Sequence, residues 1–101
     1  MNKKVIVSQD AITEFCHSHH ISRLAIFGSA LRDDFGSQSD IDVLVNFEAG
    51  HVPGFFALFD MEEQLSEIFG GRKVDLRTPE DLSRYFRDEV IKTAEVQYDK
   101  R

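Results

Sequence analysis

Apolar residues recur at two different spacings along the first half of the chain, and each spacing predicts a different element. Apolar positions 11, 12, 15 and 16 follow Ser8 at the spacing of one helix face, so we expect a helix capped by Ser8 and running to about residue 19. Branched and aromatic residues dominate positions 21–27 and 41–47, which is typical of strands. Residues 33–39 between them are polar and indicate a loop.

The second half of the chain repeats this alternation. An apolar stripe predicts a helix from residue 55 to 69 that stops at Gly70-Gly71, and residues 73–77 form a short strand. Thr78, Pro79 and the acids that follow predict the start of a last helix. Its expected inner stripe is Leu82, Tyr85, Phe86, Val90 and Ile91. The pattern after about residue 94 leaves the structure of the tail undetermined.

The order α, β, β, α, β, α over 101 residues predicts a single α+β domain, covering residues 1–101. Its architecture is a small mixed β-sheet of three to four strands packed by helices. Cys16 is the only cysteine, which excludes an intrachain disulfide, and its place on the inner helix face indicates a core residue. The absence of long apolar runs predicts a cytoplasmic protein with no membrane segment. The net charge of −6 argues against direct nucleic-acid binding and favours a basic protein partner or a metal–nucleotide complex.

Two aspartates lie at the start of the second predicted strand. Residues two apart in a strand point to the same side, so Asp40 and Asp42 are expected to project together. Two adjacent carboxylates are unfavourable unless a cation or water screens them. Such oxygen ligands suit Mg²⁺, which usually takes one or two carboxylates plus substrate phosphates.

A candidate phosphate-binding turn follows the first predicted strand. Gly28 permits close backbone approach, and Ser29 adds a hydroxyl and an N–H group. If a helical turn begins at Ser29, its free N–H groups would face a phosphate, and Arg32 would add a positive charge. The alternative for Arg32 is a surface ion pair with the acids that follow it. Ser39 either hydrogen-bonds near the metal site or caps the loop.

Asp75 is the third candidate carboxylate. Strand alternation turns it outward, and it joins Asp40 and Asp42 if its strand neighbours the second one. The three acids would then hold one or two metal ions, with Asp75 also acting as the base for an attacking hydroxyl. The alternative is an exposed acid paired with Lys73 or Arg77.

Three further features have simpler interpretations. His17, His19 and His20 lie at a predicted helix end without acids or cysteine at ligand spacing, so a zinc site is not expected. The apolar residues from 55 to 69 are most simply core. Phe55, Phe56 and Phe59 exceed what one helix face can bury, however, and some could be exposed for a partner. The segment 50–56 is a candidate edge of the contact with an acceptor.

The run Gly28-Ser29, ten residues, Asp40-Ile41-Asp42 resembles the signature of the DNA polymerase β-like nucleotidyltransferase superfamily. The flanking residues 27–32 and 39–45, with Asp75 in the place of the third acid, resemble its minimal nucleotidyltransferase group. The resemblance covers residues 8–92. It implies the polymerase β-like fold and an antitoxin of a HEPN–MNT toxin–antitoxin pair. Such an antitoxin uses ATP and Mg²⁺ to transfer AMP to a tyrosine of its HEPN ribonuclease toxin, with which it forms a hetero-oligomer.

Two other functions stay open at this point. A non-catalytic antitoxin would neutralise its partner by binding alone. The third hypothesis is a transferase that acts on a small molecule or on an RNA terminus. The net negative charge of the chain argues against an RNA substrate. The lack of room for a second domain counts against a drug-modifying enzyme.

Overall fold

A computed structural model describes residues 8–28, 40–85 and 87–100. Within these residues four strands form one sheet in the order β3-β2-β1-β4. Strands β2 and β3 are parallel, whereas β1 is antiparallel to both of its neighbours. The predicted mixed α+β class is confirmed. The elements are α1 (Gln9–Ser18), β1 (Ile21–Phe27), β2 (Ile41–Phe47), α2 (Phe55–Ile68), β3 (Val74–Arg77), a 3₁₀ turn (Pro79–Asp81), α3 (Arg87–Thr93) and β4 (Glu95–Asp99).

The predicted first helix and both long strands have the expected bounds to within a residue. The Ser8 hydroxyl accepts a hydrogen bond from the Ala11 N–H at 3.3 Å, which confirms Ser8 as the cap of α1. His20, at a φ of 56°, turns the chain from α1 into β1. None of the helices in the described ranges is long and apolar enough to cross a membrane.

One face of the sheet is covered by α1 and α2. Alternate residues of β2, namely Ile41, Val43 and Val45, are buried against these helices. Cys16 is also buried there, as expected. The core consists of Ile12, Phe15, Cys16, Ile21, Leu24, Ile26, Ile41, Val43, Val45, Met61, Leu65, Phe69 and Val74.

The opposite face of the sheet carries the polar residues of β2. By strand alternation Asp42 shares this face with Leu44 and Asn46. The 3₁₀ turn and α3 cover part of it through Pro79, Ile91 and Ala94, leaving a cavity of about 80 Å³. Asp42 is therefore on the face that α1 and α2 leave free.

The prediction of one long helix from Thr78 is wrong. The Asp81 carboxylate accepts from both the N–H and the hydroxyl of Thr78, at 3.0 and 3.1 Å, and this closes a single 3₁₀ turn. Leu82 is then extended and buried, which ends the helical conformation before α3 begins. Tyr85 is 86% exposed and does not belong to an inner stripe, whereas Ile91, though 36% exposed, lies against the sheet with Leu44 and Asn46. The side chain of Phe86 lies outside the described residues.

The fourth strand, β4, has no counterpart among the predicted elements. It pairs with β1 and is held at its far end by a hydrogen bond from the Lys100 N–H to the Ser22 carbonyl. The Gln9 side chain donates to the Gln97 carbonyl at 2.7 Å. These partners are distant in sequence, which explains why local pattern did not reveal the strand.

Candidate active site

Asp42 lies between two strand ends that the fold brings together. Its register partner on β1 is Phe27, the last residue of that strand, and its partner on β3 is Asp75. Neighbouring strands lie about 4.8 Å apart, and parallel partners present their side chains on the same face. Asp42 and Asp75 are thus adjacent carboxylates on the free face of the sheet.

Gly28 packs directly against Asp42. A β-carbon built on Gly28 would lie 3.2 Å from Cγ of Asp42 and closer still to its Oδ2. Gly28 also has a φ of 73°, in the left-handed region that favours glycine. Both properties require glycine where β1 ends beside the carboxylate.

Asp40 precedes β2 rather than lying within it, and its side chain is exposed. The next residue, Ile41, donates its N–H to the Lys73 carbonyl at 2.8 Å. This bond fixes the start of β2 against the chain that enters β3. Asp40 is therefore at the same edge of the sheet as Asp42 and Asp75. Ser29, Arg32 and Ser39 fall outside the described residues.

Asp75 forms an ion pair with Arg77, the alternative that the sequence had left open. Arg77 Nη2 donates to Asp75 Oδ2 at 3.0 Å, and the two side chains are 47% and 36% exposed. The Asp75 carboxylate raises the pKa of Arg77, with smaller contributions from Asp81 and Asp42. Sequence reasoning did not include Arg77 in the site, although its position two residues after Asp75 places it on the same strand face.

The donor set suits a hard cation shared with a substrate. Across residues 8–28, 40–85 and 87–100 no group of three His, Cys, Asp or Glu side chains lies close enough to hold a metal ion. Asp42 and Asp75 supply two adjacent carboxylates, which matches the one or two that Mg²⁺ takes together with phosphates and water. The arrangement fits Mg²⁺ bound with a nucleotide and does not fit a zinc cage.

The three histidines of the α1–β1 junction have separate neighbours. The His17 ring packs edge-on against Tyr98, and a His19 ring nitrogen lies 2.9 Å from Gln64 Oε1. The His20 ring stacks on His51 with centroids 3.9 Å apart. The three rings therefore do not converge on one point.

The segment 50–56 lies at the other end of the sheet from the carboxylates. Asp42 is near the start of β2, whereas this segment follows Phe47, about 16 Å further along the strand. The topology thus disagrees with its predicted place at the edge of the acceptor site. Contact with a partner through this segment would occur away from the reacting atoms.

The comparisons with known proteins agree with this fold. The model of the family described as "Polymerase beta, Nucleotidyltransferase" matches residues 10–101. A Methanocaldococcus jannaschii protein provisionally named a protein adenylyltransferase is 34% identical over 64 residues, 63% of each chain. Protein adenylyltransferase MntA of Thermococcus cleftensis is 36% identical over 56 residues, 55% of this chain and 54% of MntA. The matched segment thus spans between about half and two thirds of these relatives.

Two solved structures share the architecture. A structure named as a minimal nucleotidyltransferase superposes with a TM-score of 0.69 at 28% identity, covering 85% of both chains. A toxin–antitoxin crystal structure with AMP-PNP gives 0.71 at 18% identity, covering 94% of this chain and 76% of that one, and shows likeness of fold alone. With the family model matching nearly the whole chain, the protein belongs to the polymerase β nucleotidyltransferase family.

Proposed function

We propose that this chain is a Mg²⁺-dependent protein adenylyltransferase that acts as an antitoxin. It transfers AMP from ATP to a tyrosine hydroxyl of a HEPN ribonuclease toxin and so neutralises it. The observation that carries the proposal is the Asp42–Asp75 pair with Gly28 packed against Asp42. The names of the relatives, protein adenylyltransferases, support transfer of AMP to a protein.

The chemistry requires a nucleophile, a leaving group and a place for one proton. The tyrosine oxygen attacks the α-phosphorus of ATP, a new P–O bond forms, and the bond to the bridging oxygen breaks as diphosphate leaves. Asp75 takes the phenolic proton and passes it to water. Asp42 and Asp75 would hold Mg²⁺ together with the triphosphate, and Asp40 would join them only on binding, because the three carboxylates do not form a ready ligand group in the described ranges. One or two such ions would offset the negative charge of the triphosphate and of the departing diphosphate.

The nucleotide would be held where β1 ends. Gly28 lets the backbone at the end of β1 pack directly against the Asp42 carboxylate, where a β-carbon would clash, and so brings the following residues close to that carboxylate. Ser29 would donate to the triphosphate, with Arg32 adding positive charge and Ser39 a hydroxyl near the acids.

The acceptor is proposed to be a protein because the named relatives are protein adenylyltransferases. The free face of the sheet carries two recesses: one between the sheet and α3 of about 80 Å³, and one between the end of β2 and the 3₁₀ turn of about 450 Å³. The larger is within the range of roughly 300–1,000 Å³ that is typical of small-molecule pockets. It is lined by Phe47 and Val52, however, and so lies toward the end of β2 that is distant from Asp42.

Labelled ATP tests this function directly. The purified chain is incubated with Mg²⁺, the product of the neighbouring gene and ATP labelled at either the α- or the γ-phosphate. We expect label on the partner from α-labelled ATP alone, its loss with Asp42→Asn, and its loss when the modified tyrosine, located by mass spectrometry, is changed to phenylalanine. An unlabelled partner, with ATP still bound by the chain, would refute the transfer.

Neutralisation by binding alone is the second candidate function. It is favoured by the Asp75–Arg77 ion pair, which engages a proposed metal ligand, and by the lack of a three-ligand group in the described ranges. Co-expression with the toxin separates the two functions. If Asp42→Asn rescues growth as well as the wild-type chain, catalysis is dispensable; if it fails while still binding the toxin, transfer is required.

A further inference from the structure

The outward side of α2 exposes large apolar rings. Phe55, Phe56 and Phe59 are 80%, 82% and 58% exposed, whereas Met61 and Leu65 of the same helix are buried in the core. Burial of aromatic side chains is a main source of folding stability, so leaving three rings in water forgoes it. In soluble proteins, a large contiguous apolar patch on the surface usually marks a binding site for a protein, a membrane or a ligand.

The same side of α2 becomes acidic toward its end. Asp60, Glu63 and Glu67 are exposed and continue from Phe56 and Phe59 at intervals of three and four residues, so all five lie on one helical side. Glu62 points elsewhere and accepts a hydrogen bond from the Leu76 N–H at 2.8 Å. We call the set Phe55, Phe56, Phe59, Asp60, Glu63 and Glu67 the Phe–acid face.

The charge on this segment is one-sided. Residues 48–71 contain five Asp or Glu and no Lys or Arg, although Lys73 lines the same recess as Phe59 and Glu63. Acids near a helix C-terminus also oppose the helix dipole, and α2 has no acid in its first turn, where one would be stabilising. Helix stability therefore does not explain the arrangement, whereas a positively charged partner would give these acids a role.

We infer that the Phe–acid face of α2 is a docking surface for a protein segment that presents apolar side chains followed by lysine or arginine. The inference rests on the proposed function only for the identity of that partner, the HEPN toxin. Its chemistry follows from α2 itself: phenyl rings need an apolar counterpart, and the carboxylates need cations.

A second copy of this chain does not fit the face. Two such faces packed in parallel would bring Glu63 and Glu67 against their equivalents, and like charges repel. Packed in opposite directions, the phenyl rings of one copy would desolvate the carboxylates of the other without pairing them. A lipid surface fits poorly as well, because anionic headgroups would meet the acids.

The face is also separate from the catalytic carboxylates. Phe55 lies near the far end of β2 from Asp42, and Glu63 lies near the start of β3 beside Lys73 and Val74. The sheet separates both from the carboxylates, because α2 packs on the face of the sheet opposite Asp42. A partner held by its docking segment would thus be anchored away from the reacting atoms. Mutations at the two places are therefore expected to separate affinity from chemistry.

Binding of a designed peptide tests the docking chemistry without any assumption about the toxin. The probe is an 18-residue helix with leucine on one side flanked by lysine, compared with the same helix carrying glutamate for lysine. We expect the intact chain to bind the lysine peptide at least tenfold more tightly. Phe55→Ser with Phe56→Ser should weaken binding at least tenfold, and Glu63→Gln with Glu67→Gln should weaken it and reduce its salt dependence.

Matched variants remove equivalent groups elsewhere on the surface. Tyr85→Ser deletes another exposed aromatic ring, and Glu80→Gln with Glu89→Gln deletes two other exposed acids; both should leave peptide binding within twofold. Equal affinity for the two peptides, or equal loss in the matched variants, would overturn the inference. The inference would also be overturned if the wild-type chain formed a dimer in sedimentation, or bound phosphatidylcholine vesicles, and the double change Phe55→Ser with Phe56→Ser abolished that association.

The toxin then provides an independent measurement. Loss of toxin affinity in the phenylalanine variant, with AMP transfer recovered at high toxin concentration, is the expected result. Unchanged toxin affinity in that variant would refute docking through this face while leaving the transferase intact. The wild-type chain could also bind the toxin through this face and yet transfer no AMP. That result would refute the transferase function but support the docking surface.

Discussion

Gly28 and Asp42 touch where β1 ends beside β2, so the backbone of one leaves no room for a side chain next to the carboxylate of the other. Gly50 provides a comparison, because its φ of 80° is equally positive but a β-carbon there would have nothing within 4 Å. A side chain at either position would therefore be strained by the positive φ, but only at Gly28 would it also clash with another residue.

Alanine at these two positions should separate strain from contact. A left-handed conformation costs an alanine about 1–2 kcal/mol, so Gly28→Ala and Gly50→Ala should both lower the free energy of unfolding by about that amount. Only Gly28→Ala should also abolish nucleotide binding, since it displaces the Asp42 carboxylate. Urea unfolding and calorimetric titration with ATP and Mg²⁺ measure the two effects. Equal loss of ATP affinity in both variants would contradict a specific role for Gly28.

Asp42→Asn should weaken metal binding without unfolding the chain. Removing one carboxylate relieves its repulsion with Asp75 but deletes a proposed ligand. Changes to groups around metal ligands typically cost about 10–100-fold in affinity, so we expect at least a tenfold loss here. Titration with Mn²⁺ followed by electron paramagnetic resonance gives the affinity. Asp10→Asn, which removes an exposed acid from α1, should bind as the wild type does; equal affinities in all three proteins would disprove the ligand assignment.

Arg77→Gln should strengthen metal binding in the absence of nucleotide. The Arg77 guanidinium holds Asp75 Oδ2 at 3.0 Å, so a cation must compete with it for that carboxylate. Because exposed pairs of this kind are worth about 0.2–1 kcal/mol after screening by solvent, the gain should be no more than about fivefold. The same Mn²⁺ titration measures it, with Arg84→Gln as the control for loss of an exposed arginine. Weaker Mn²⁺ binding by Arg77→Gln would show that the pair instead positions Asp75 for the metal.

Cys16 should make the fold sensitive to alkaline pH. Burial raises the pKa of its thiol to about 12, whereas a thiol in the unfolded chain ionises near 8.5. Below about pH 8.5 both states keep the proton and stability is unaffected; above it the unfolded state gains by ionising. The free energy of unfolding should fall by up to about 1.4 kcal/mol per pH unit between these values. This slope is measured as the difference between wild type and Cys16→Ala, and parallel pH profiles would contradict it.

The sequence by itself determined most local structure and the spacing of the candidate site residues. The bounds of α1, β1 and β2 follow from periodicity and capping, because those signals act between residues a few positions apart. The same holds for the spacing of Asp40 and Asp42 after Gly28. The resemblance to a known family also predicted the fold class, and the match to the family model confirms that prediction. The roles proposed for Ser29, Arg32 and Ser39 remain predictions.

Only the tertiary structure decided which of these pieces meet. The parallel pairing of β2 with β3, which sets Asp75 beside Asp42, depends on packing between segments more than thirty residues apart. Likewise Leu82 breaks the predicted last helix because it is buried in an extended conformation, and β4 exists because β1 offers it an edge. Such outcomes depend on competition for the core among distant segments, and no local pattern contains that information. The exposure of the Phe–acid face has the same origin, since only the packed fold shows which phenylalanines the core had no room for.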